Sequence, residues 1–478
     1  MTVLVVGAGP TGLTLACALL DQGVDVAVID KAAEPATTSR ALMVLPRGLE
    51  VLERVGALGD LPDRAIGVRT MAIHADRKRI AAIEIEKLFS RIGVRPPLLV
   101  SQVEVEAALR KRFDDLGGRI EWGTVLESAK QNDDGVVVVL GGGESRTVDW
   151  LVGCDGAHSA VRKSAGIGFP GRVGTERFLL ADVVTDFTGD RSTTRSWLHK
   201  RGMMLMFPLP GKDLWRVIAD VSVESDTDSD PSDEQILAQV RRAVAERAGL
   251  TDVVVGQAKW VSNFRISQRL ADRYRSGRML VIGDAAHIHS PLGGQGMNTG
   301  LGDAENLAWK LALVQQGRAN ASLLDTVEAE RKPIAKAVLT STEAMTRLTL
   351  ARNPLLGLAR KLVLPRLVSI GYVRNQIADR GSQMSVNYRG GPLAGETRKG
   401  LSPGDPVPGL APTTGWTVVG SARNVESVAA QVQQRFGAVN VDVFDRPRDT
   451  LVIRPDGHLA WRSGGQQTLD AWFEAALG

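Results

Sequence analysis

The residues best suited to do chemistry lie in two glycine-rich clusters about 270 residues apart. The first is Gly7-Ala8-Gly9-Pro10-Thr11-Gly12. It follows residues 2–6, which read as a buried strand, and opens residues 13–22, which read as a helix. Asp30, with Lys31 beside it, closes a second predicted strand (24–29) and stands 18 residues after Gly12. Glycines at these places permit a tight turn and let the backbone approach a pyrophosphate. The helix start offers unpaired N–H groups and the positive end of a dipole. A carboxylate at the second strand end accepts hydrogen bonds from a ribose. Strand, turn, helix and acid together predict dinucleotide binding by Gly7, Gly9, Pro10, Thr11, Gly12, Asp30 and Lys31. They do not distinguish FAD from NAD.

The second cluster is Gly283-Asp284-Ala285-Ala286-His287, then Pro291, then Gly293-Gly294-Gln295-Gly296-Met297-Asn298-Thr299-Gly300. It follows a predicted buried strand, 279–282, and opens a long helix over about 297–314. Asp284 at a strand end suits polyol hydroxyls. Clustered glycines let a flat ring lie against backbone, and the helix N-terminus favours negative charge on that ring. His287 and His289 stand two apart with no cysteine nearby and no HExxH spacing, so metal ligation is not expected. Ser159 and Ser290 lack the GxSxG setting of a hydrolase nucleophile. Trp197, Trp215 and Trp260, with Arg47, Met203, Met204, Met206 and Phe207, fit either a ring-binding pocket or ordinary sheet packing.

These clusters need a scaffold, and the pattern supplies one. A βαβ unit opens the chain. Helices are expected over 46–55, 103–116 and roughly 234–248, and strands over 135–140 and 148–153. Residues 176–222 are rich in strand-like runs, and 223–233 form an acidic loop. Helical patterning runs from about 323 to 380, interrupted by Pro333, Pro354 and Pro365. Residues 387–414 read as a linker, after which α/β patterning resumes.

The chain's 478 residues carry 58 Lys+Arg against 54 Asp+Glu, a net +4 with no basic block, which argues against a nucleic-acid partner. The apolar start has no Lys or Arg before Lys31 and is broken by glycines, so neither a signal peptide nor a membrane span is expected. Cys17 and Cys154 are the only cysteines, which fits a reducing cytoplasm.

The motif set, in this order, resembles the class A FAD-dependent monooxygenases of the p-hydroxybenzoate hydroxylase fold. Gln268-Arg269-Leu270-Ala271-Asp272-Arg273-Tyr274 before the second cluster is similar to the phenol and polyketide hydroxylase branch. So is Cys154-Asp155-Gly156-Ala157-His158-Ser159, followed by Arg162. The resemblance spans essentially the whole chain. It implies an α/β architecture: a Rossmann-like FAD-binding domain (1–70, 98–175 and 268–330) with an inserted β-rich substrate domain (71–97 and 176–267). A helical segment (331–390) and a small thioredoxin-like C-terminal domain (395–478) follow. Arg454-Pro455-Asp456-Gly457-His458-Leu459-Ala460-Trp461-Arg462 looks like the end of that last domain, which lacks cysteines and so cannot exchange disulfides.

The resemblance further implies FAD contacts from Arg40, Gln102, Asp155, Asp284, Gly294, Gly296, Met297 and Asn298. Pro291, Gly294 and Asn298 would border the reacting edge of the flavin. The implied reaction consumes NAD(P)H (NADPH favoured) and O2, passes through a flavin C4a-hydroperoxide and hydroxylates a phenolic or polycyclic aromatic small molecule. Baeyer–Villiger insertion, or a flavoprotein that binds without turnover, remain alternatives. A monomer or homodimer is expected.

Overall fold

The computed structural model describes residues 2–38, 41–91, 93–221, 231–290, 293–350, 366, 371–410, 413–443 and 449–477. Six strands make the first sheet, in the order 275–276, 279–281, 150–153, 3–6, 26–30 and 120–122. All neighbours run parallel except the edge pair 275–276 with 279–281. Val3–Val6 and Trp150–Gly153 are buried throughout, as continuous apolar runs must be when both faces of a parallel sheet are covered. Helix α1 (Pro10–Asp21) begins inside the first glycine cluster, three residues before the sequence pattern suggests. Proline at the first helical position needs no N–H partner and is already set for the helix. Helices α2 (Pro46–Arg54) and α3 (Gln102–Asp115) follow, α3 capped by the Ser101 hydroxyl, which accepts from Val103 N at 3.3 Å. The expected strands near 135–140 and 148–153 belong to different sheets, the first to a small antiparallel sheet with 126–131 and 145–148.

The second large sheet has eight strands, ordered 287–288, 255–270, 171–185, 214–221, 202–208, 193–199, 70–75 and 78–84. It is antiparallel except where 193–199 pairs parallel with 70–75. Helix α4 (Asp233–Ala243), held at its start by a Ser232–Gln235 capping box, buries Ile236 and Val240 against one face of this sheet. Residues Val244–Ala248 continue it as a π-turn.

Helix α5 (Gly296–Gln315) is buried along most of its length. Helix α6 (Asp325–Leu350) runs unbroken through Pro333, against the expected interruption. Buried side chains on both sides of the proline, Glu330 and Arg331 before it and Ala335 after it, anchor the helix by tertiary contacts. Helix α7 (Gly371–Ser382) follows. The expected linker 387–414 is no free tether: Tyr388, Leu393, Ser402 and Asp405 are buried, and Arg389 pairs with Asp405.

The C-terminal sheet has the order 439–443, 416–420, 451–453 and 459–462, with only the first pair parallel. Helices Ala422–Phe436 and Leu469–Leu477 accompany it. One parallel pair followed by an antiparallel pair of strands, with helices beside them, is a thioredoxin-like arrangement. Its core is shared: Trp309 and Leu313 of α5 pack into it with Trp416, Val432 and Trp472. No helix among the described residues is long and apolar enough to cross a membrane.

Candidate cofactor and active site

The first glycine turn is set by close approaches. Gly7 has φ +108°, and a Cβ there would lie 2.4 Å from Cys154 O; one on Gly12 would lie 1.9 Å from Gly7 O. Gly9 differs, since a Cβ there meets nothing within 4 Å, so the turn has open space above it. The first bond of α1 is Leu13 N to Gly9 O at 3.0 Å, which leaves the N–H groups of Thr11 and Gly12 ahead of it as helix-start donors with no partner among the described residues. The Thr11 side chain is wedged between α1 and α5: a Cβ on Gly283 or Gly300 would come within 2.8 or 2.3 Å of its hydroxyl. Thr11 therefore offers a ligand its backbone rather than its side chain. Asp30 accepts from Ala8 N (2.7 Å) and Ala32 N (2.8 Å), fixing the turn beside it while keeping further lone pairs for a ribose. Lys31 is exposed.

Gln102 stands at the start of α3 and donates through Nε2 to Glu106 Oε1 at 2.8 Å. Burial raises the Glu106 carboxyl. Asp155 accepts at Oδ2 from Ala160 N (2.6 Å) and Val161 N (3.3 Å), while its buried Oδ1 has no partner among the described residues. Arg162 joins this motif to the second cluster, donating to Ala157 O and Ala285 O at 2.8 Å each. Burial raises the Cys154 thiol, so it is not a reactive thiolate.

In the second cluster Asp284 reaches solvent yet is crowded by protein, and that crowding raises its carboxyl. No described residue hydrogen-bonds it. Its neighbour Gly283 donates to Asp303 Oδ2 at 3.1 Å, and His287 Nε2 donates to the same oxygen at 2.6 Å. Helix α5 makes its first bond from Thr299 N to Gln295 O, so the N–H groups of Gly296, Met297 and Asn298 precede it. Gly294, at φ +64°, lies against Met43.

The Asn298 side chain is occupied by the protein itself. Its Oδ1 accepts from Leu45 N (2.8 Å), and its Nδ2 donates to Met43 O (3.0 Å) and Gly294 O (2.8 Å). Its side chain is committed to backbone and ties the 43–45 segment to the start of α5; only its N–H remains for a ligand. Arg40 and Pro291 lie outside the described residues.

His289 is the residue that spacing alone set aside. Its Nδ1 lies 2.8 Å from Ser290 O. A carbonyl only accepts, so Nδ1 carries the ring proton and Nε2 a lone pair. That Nε2 is buried without a partner among the described residues, beside Gly296. Burial lowers the imidazole to about 4, so it is neutral at pH 7. The orphaned atom was not legible from sequence, because nothing in the motif says which way the ring points.

The face of the second sheet away from α4 carries Phe178 stacked on Phe264 (centroids 5.9 Å apart) and the ion pair of Arg216 with Asp182 (2.7 and 2.8 Å). The Arg216 guanidinium lies over Trp260, 5.3 Å from the ring centroid. Trp197 and Trp215 face α4 instead and are sheet packing, as are Met204 and Met206. Phe207 joins an apolar cluster with Leu42, Met43, Met71 and Ala378. Met43 thus belongs both to the wall of this face and to the contacts at the start of α5.

These residues fit FAD. The open space over Gly9, the free donors of two helix starts, an unpartnered Asp284 and a partnerless Asp155 oxygen are what a diphosphate, a ribityl chain and an electron-rich ring require.

Comparison with known proteins agrees. The FAD binding domain family (FAD_binding_3) matches residues 1–342. The chain is 35% identical over 527 residues to the 6-methylpretetramide 4-monooxygenase of Streptomyces rimosus, covering 99% of this chain and 93% of that protein. It is similar to the solved structure of OxyS anhydrotetracycline hydroxylase from Streptomyces rimosus (TM-score 0.80, 30% identity, 99% of this chain and 98% of that one). It is also similar to the Diels-Alderase PyrE3 of pyrroindomycin biosynthesis (TM-score 0.79, 31% identity, 100% and 99%). With its motifs, fold and full-length likeness in agreement, the chain belongs to the FAD-binding family and, within it, to the FAD-dependent aromatic hydroxylases.

Proposed function

We propose that this monooxygenase uses NADPH and O2 to hydroxylate a polycyclic, polyketide-like phenol. The observation that carries this reading is the joining, at Met43, of the helix start of α5 to the apolar face of the second sheet. A flat aromatic substrate held against that apolar side would be kept from water, which favours oxygen transfer over loss as peroxide. The names of the relatives, a 6-methylpretetramide 4-monooxygenase and an anhydrotetracycline hydroxylase, support the same substrate class.

The FAD, when bound, supplies the redox chemistry that activates O2. Everything else falls to the chain. The N–H groups of Thr11 and Gly12 hold the diphosphate, and Asp30 holds the adenosine ribose. Asp284 accepts from the ribityl hydroxyls. The N–H groups of Gly296, Met297 and Asn298 stabilise negative charge on the ring, and Gly294 keeps the backbone close to it. Gln102 and Asp155 would complete the cofactor contacts among the described residues, and Arg40 and Pro291 are proposed for the same site from their motifs alone. In the balanced reaction one oxygen atom of O2 enters the phenol ring, the other leaves as water, and NADPH is oxidised. The division into discontinuous FAD, substrate, helical and C-terminal parts is proposed with the boundaries given above.

The test is 18O2 labelling during NADPH oxidation with a panel of polycyclic phenols. Incorporation of one labelled oxygen as a new hydroxyl supports the reading. NADPH-independent conversion without label supports a second one, favoured by the likeness to a Diels-Alderase: a cofactor-loaded chain that shapes a substrate without oxidising it.

A further inference from the structure

One continuous set of buried charges connects the C-terminal unit to the cofactor cluster, and the hydroxylation chemistry leaves it unexplained. It begins at Asp303 on α5, whose Oδ2 receives Gly283 N and His287 Nε2. Asp303 Oδ1 accepts from Arg331 Nε at 2.7 Å. Arg331 also donates to Thr299 O and to the Tyr388 hydroxyl, each at 3.1 Å. The Tyr388 ring lies on that of His458, centroids 4.2 Å apart. His458 belongs to the loop 454–458 of the C-terminal sheet, where Asp456 pairs with Arg454. Arg454 in turn pairs with Glu330, which also takes Lys310 of α5 at 2.7 Å. The same loop reaches α2, since Arg47 donates to Asp456 O at 2.5 Å and pairs with Glu305 of α5.

Every ionised group in this chain of contacts is nearly or fully buried. Burial opposes each charge, yet the partners hold Asp303 and Asp456 below the usual carboxylate range. Such groups tolerate little displacement, because a lost partner leaves a bare buried charge. The apolar side agrees: Trp309 of α5 packs on Trp416 (centroids 5.5 Å apart) and donates to Asp456 Oδ2 at 3.3 Å. The loop therefore grips α5 along the side opposite its ligand-facing start. It also grips α2, whose leading segment Asn298 fastens to that start.

We propose that the thioredoxin-like unit is a clamp: its loop 454–458, acting through Arg331 and Asp303, positions the start of α5 and the Gly283-Asp284 turn for FAD. Asp456, Tyr388 and Arg331 are positioning residues. The inference rests on the reading of α5 as the flavin-facing helix.

The test compares two variants of the full-length protein at a temperature where both are folded. Asp456→Asn strikes the clamp. Val432→Ala loosens the core of the same unit without touching the charges. FAD dissociation constants are measured by flavin fluorescence and the bound-flavin visible spectrum is recorded. The expected result is that Asp456→Asn raises the FAD dissociation constant about tenfold or more and alters the spectrum. Val432→Ala lowers the unfolding temperature but stays within twofold of wild type in both. The proposal is overturned if Asp456→Asn binds FAD like wild type, or if Val432→Ala weakens FAD as much for the same loss of stability. Should Asp456→Asn not fold, Tyr388→Phe, which deletes one hydroxyl, takes its place with an expected threefold loss; an unchanged constant overturns the proposal. Failure of the wild-type protein to bind FAD would instead remove the underlying site reading.

Discussion

Replacing Gly9 with alanine should weaken cofactor binding while leaving the fold intact. Gly9 sits at φ −77° and ψ −179°, ordinary extended backbone, and an added Cβ meets no atom within 4 Å. Alanine is a poorer N-cap than glycine by roughly 0.5–1 kcal/mol. It also narrows the unfolded ensemble, which returns about 0.4–1 kcal/mol. The two nearly cancel, so the apo-protein should unfold within about 2 °C of wild type. The methyl group occupies the open space where the diphosphate approaches the helix start. Displacing one charged hydrogen bond there costs about 1.5–3 kcal/mol, or about 10- to 150-fold in affinity. Gly12→Ala is the contrast. Its Cβ would stand 1.9 Å from Gly7 O, a backbone atom that no rotamer change can move. It should destabilise the apo-protein itself, by about 1–3 kcal/mol. Thermal unfolding of flavin-free protein and titration with FAD separate the two effects. The reasoning is refuted if Gly9→Ala binds FAD like wild type, or if it loses as much apo stability as Gly12→Ala.

Three other outcomes follow from the site and its supports. Asp284→Ala should lower FAD affinity about tenfold or more, the loss of one charged acceptor. Because crowding raises that carboxyl, the variant's apo-protein should be no less stable than wild type at pH 7; a large fall in unfolding temperature would sink the polyol-contact role. Glu330→Gln removes the shared partner of Lys310 and Arg454 and should cost about 3–5 kcal/mol by denaturant unfolding; Lys310, already lowered to about 8, should then lose its charge near neutrality. His289 is lowered from 6.5 to about 4, so the unfolded chain binds its proton first and stability falls as pH drops from 6.5 towards 4, by no more than about 3 kcal/mol. The slope of unfolding free energy against pH in that window should be shallower in His289→Gln, and an unchanged slope would disprove the buried neutral ring.

The first glycine turn was legible because two of its positions, Gly7 and Gly12, admit no other residue: a Cβ there meets backbone at once. Their order along the chain was enough to place the FAD unit. What stayed hidden depended on distant partners. Asn298 reads as a flavin contact in its motif, yet its side chain is spent on residues some 250 positions away. Trp215 and Trp260 share a composition and a neighbourhood, but the two-residue period of their strands puts them on opposite faces, which only the register decides. Pro333 was expected to interrupt the helical run because propensity is a local quantity, whereas buried anchors on either side of it are not. The stretch 387–414 looked like a linker from its glycines and prolines; its buried Tyr388 shows that irregular backbone can be part of a core.

The parallel pairing of residues 70–75 with 193–199 also sets a timetable for synthesis. The hairpin 70–84 leaves the ribosome more than 100 residues before the strand that covers its open edge. At about 5–20 residues per second, that edge waits roughly 6–25 s for its partner. During the wait it offers unpaired backbone to any neighbouring chain. The strand 3–6 faces a similar delay before 150–153 pairs with it, and about twice that before 279–281 extends the sheet. The loop 454–458, which grips the finished cofactor helix, emerges after that helix and after every strand of both large sheets. Yield in a cell should therefore respond more to slower growth or added chaperones than the equilibrium stability of the finished protein suggests.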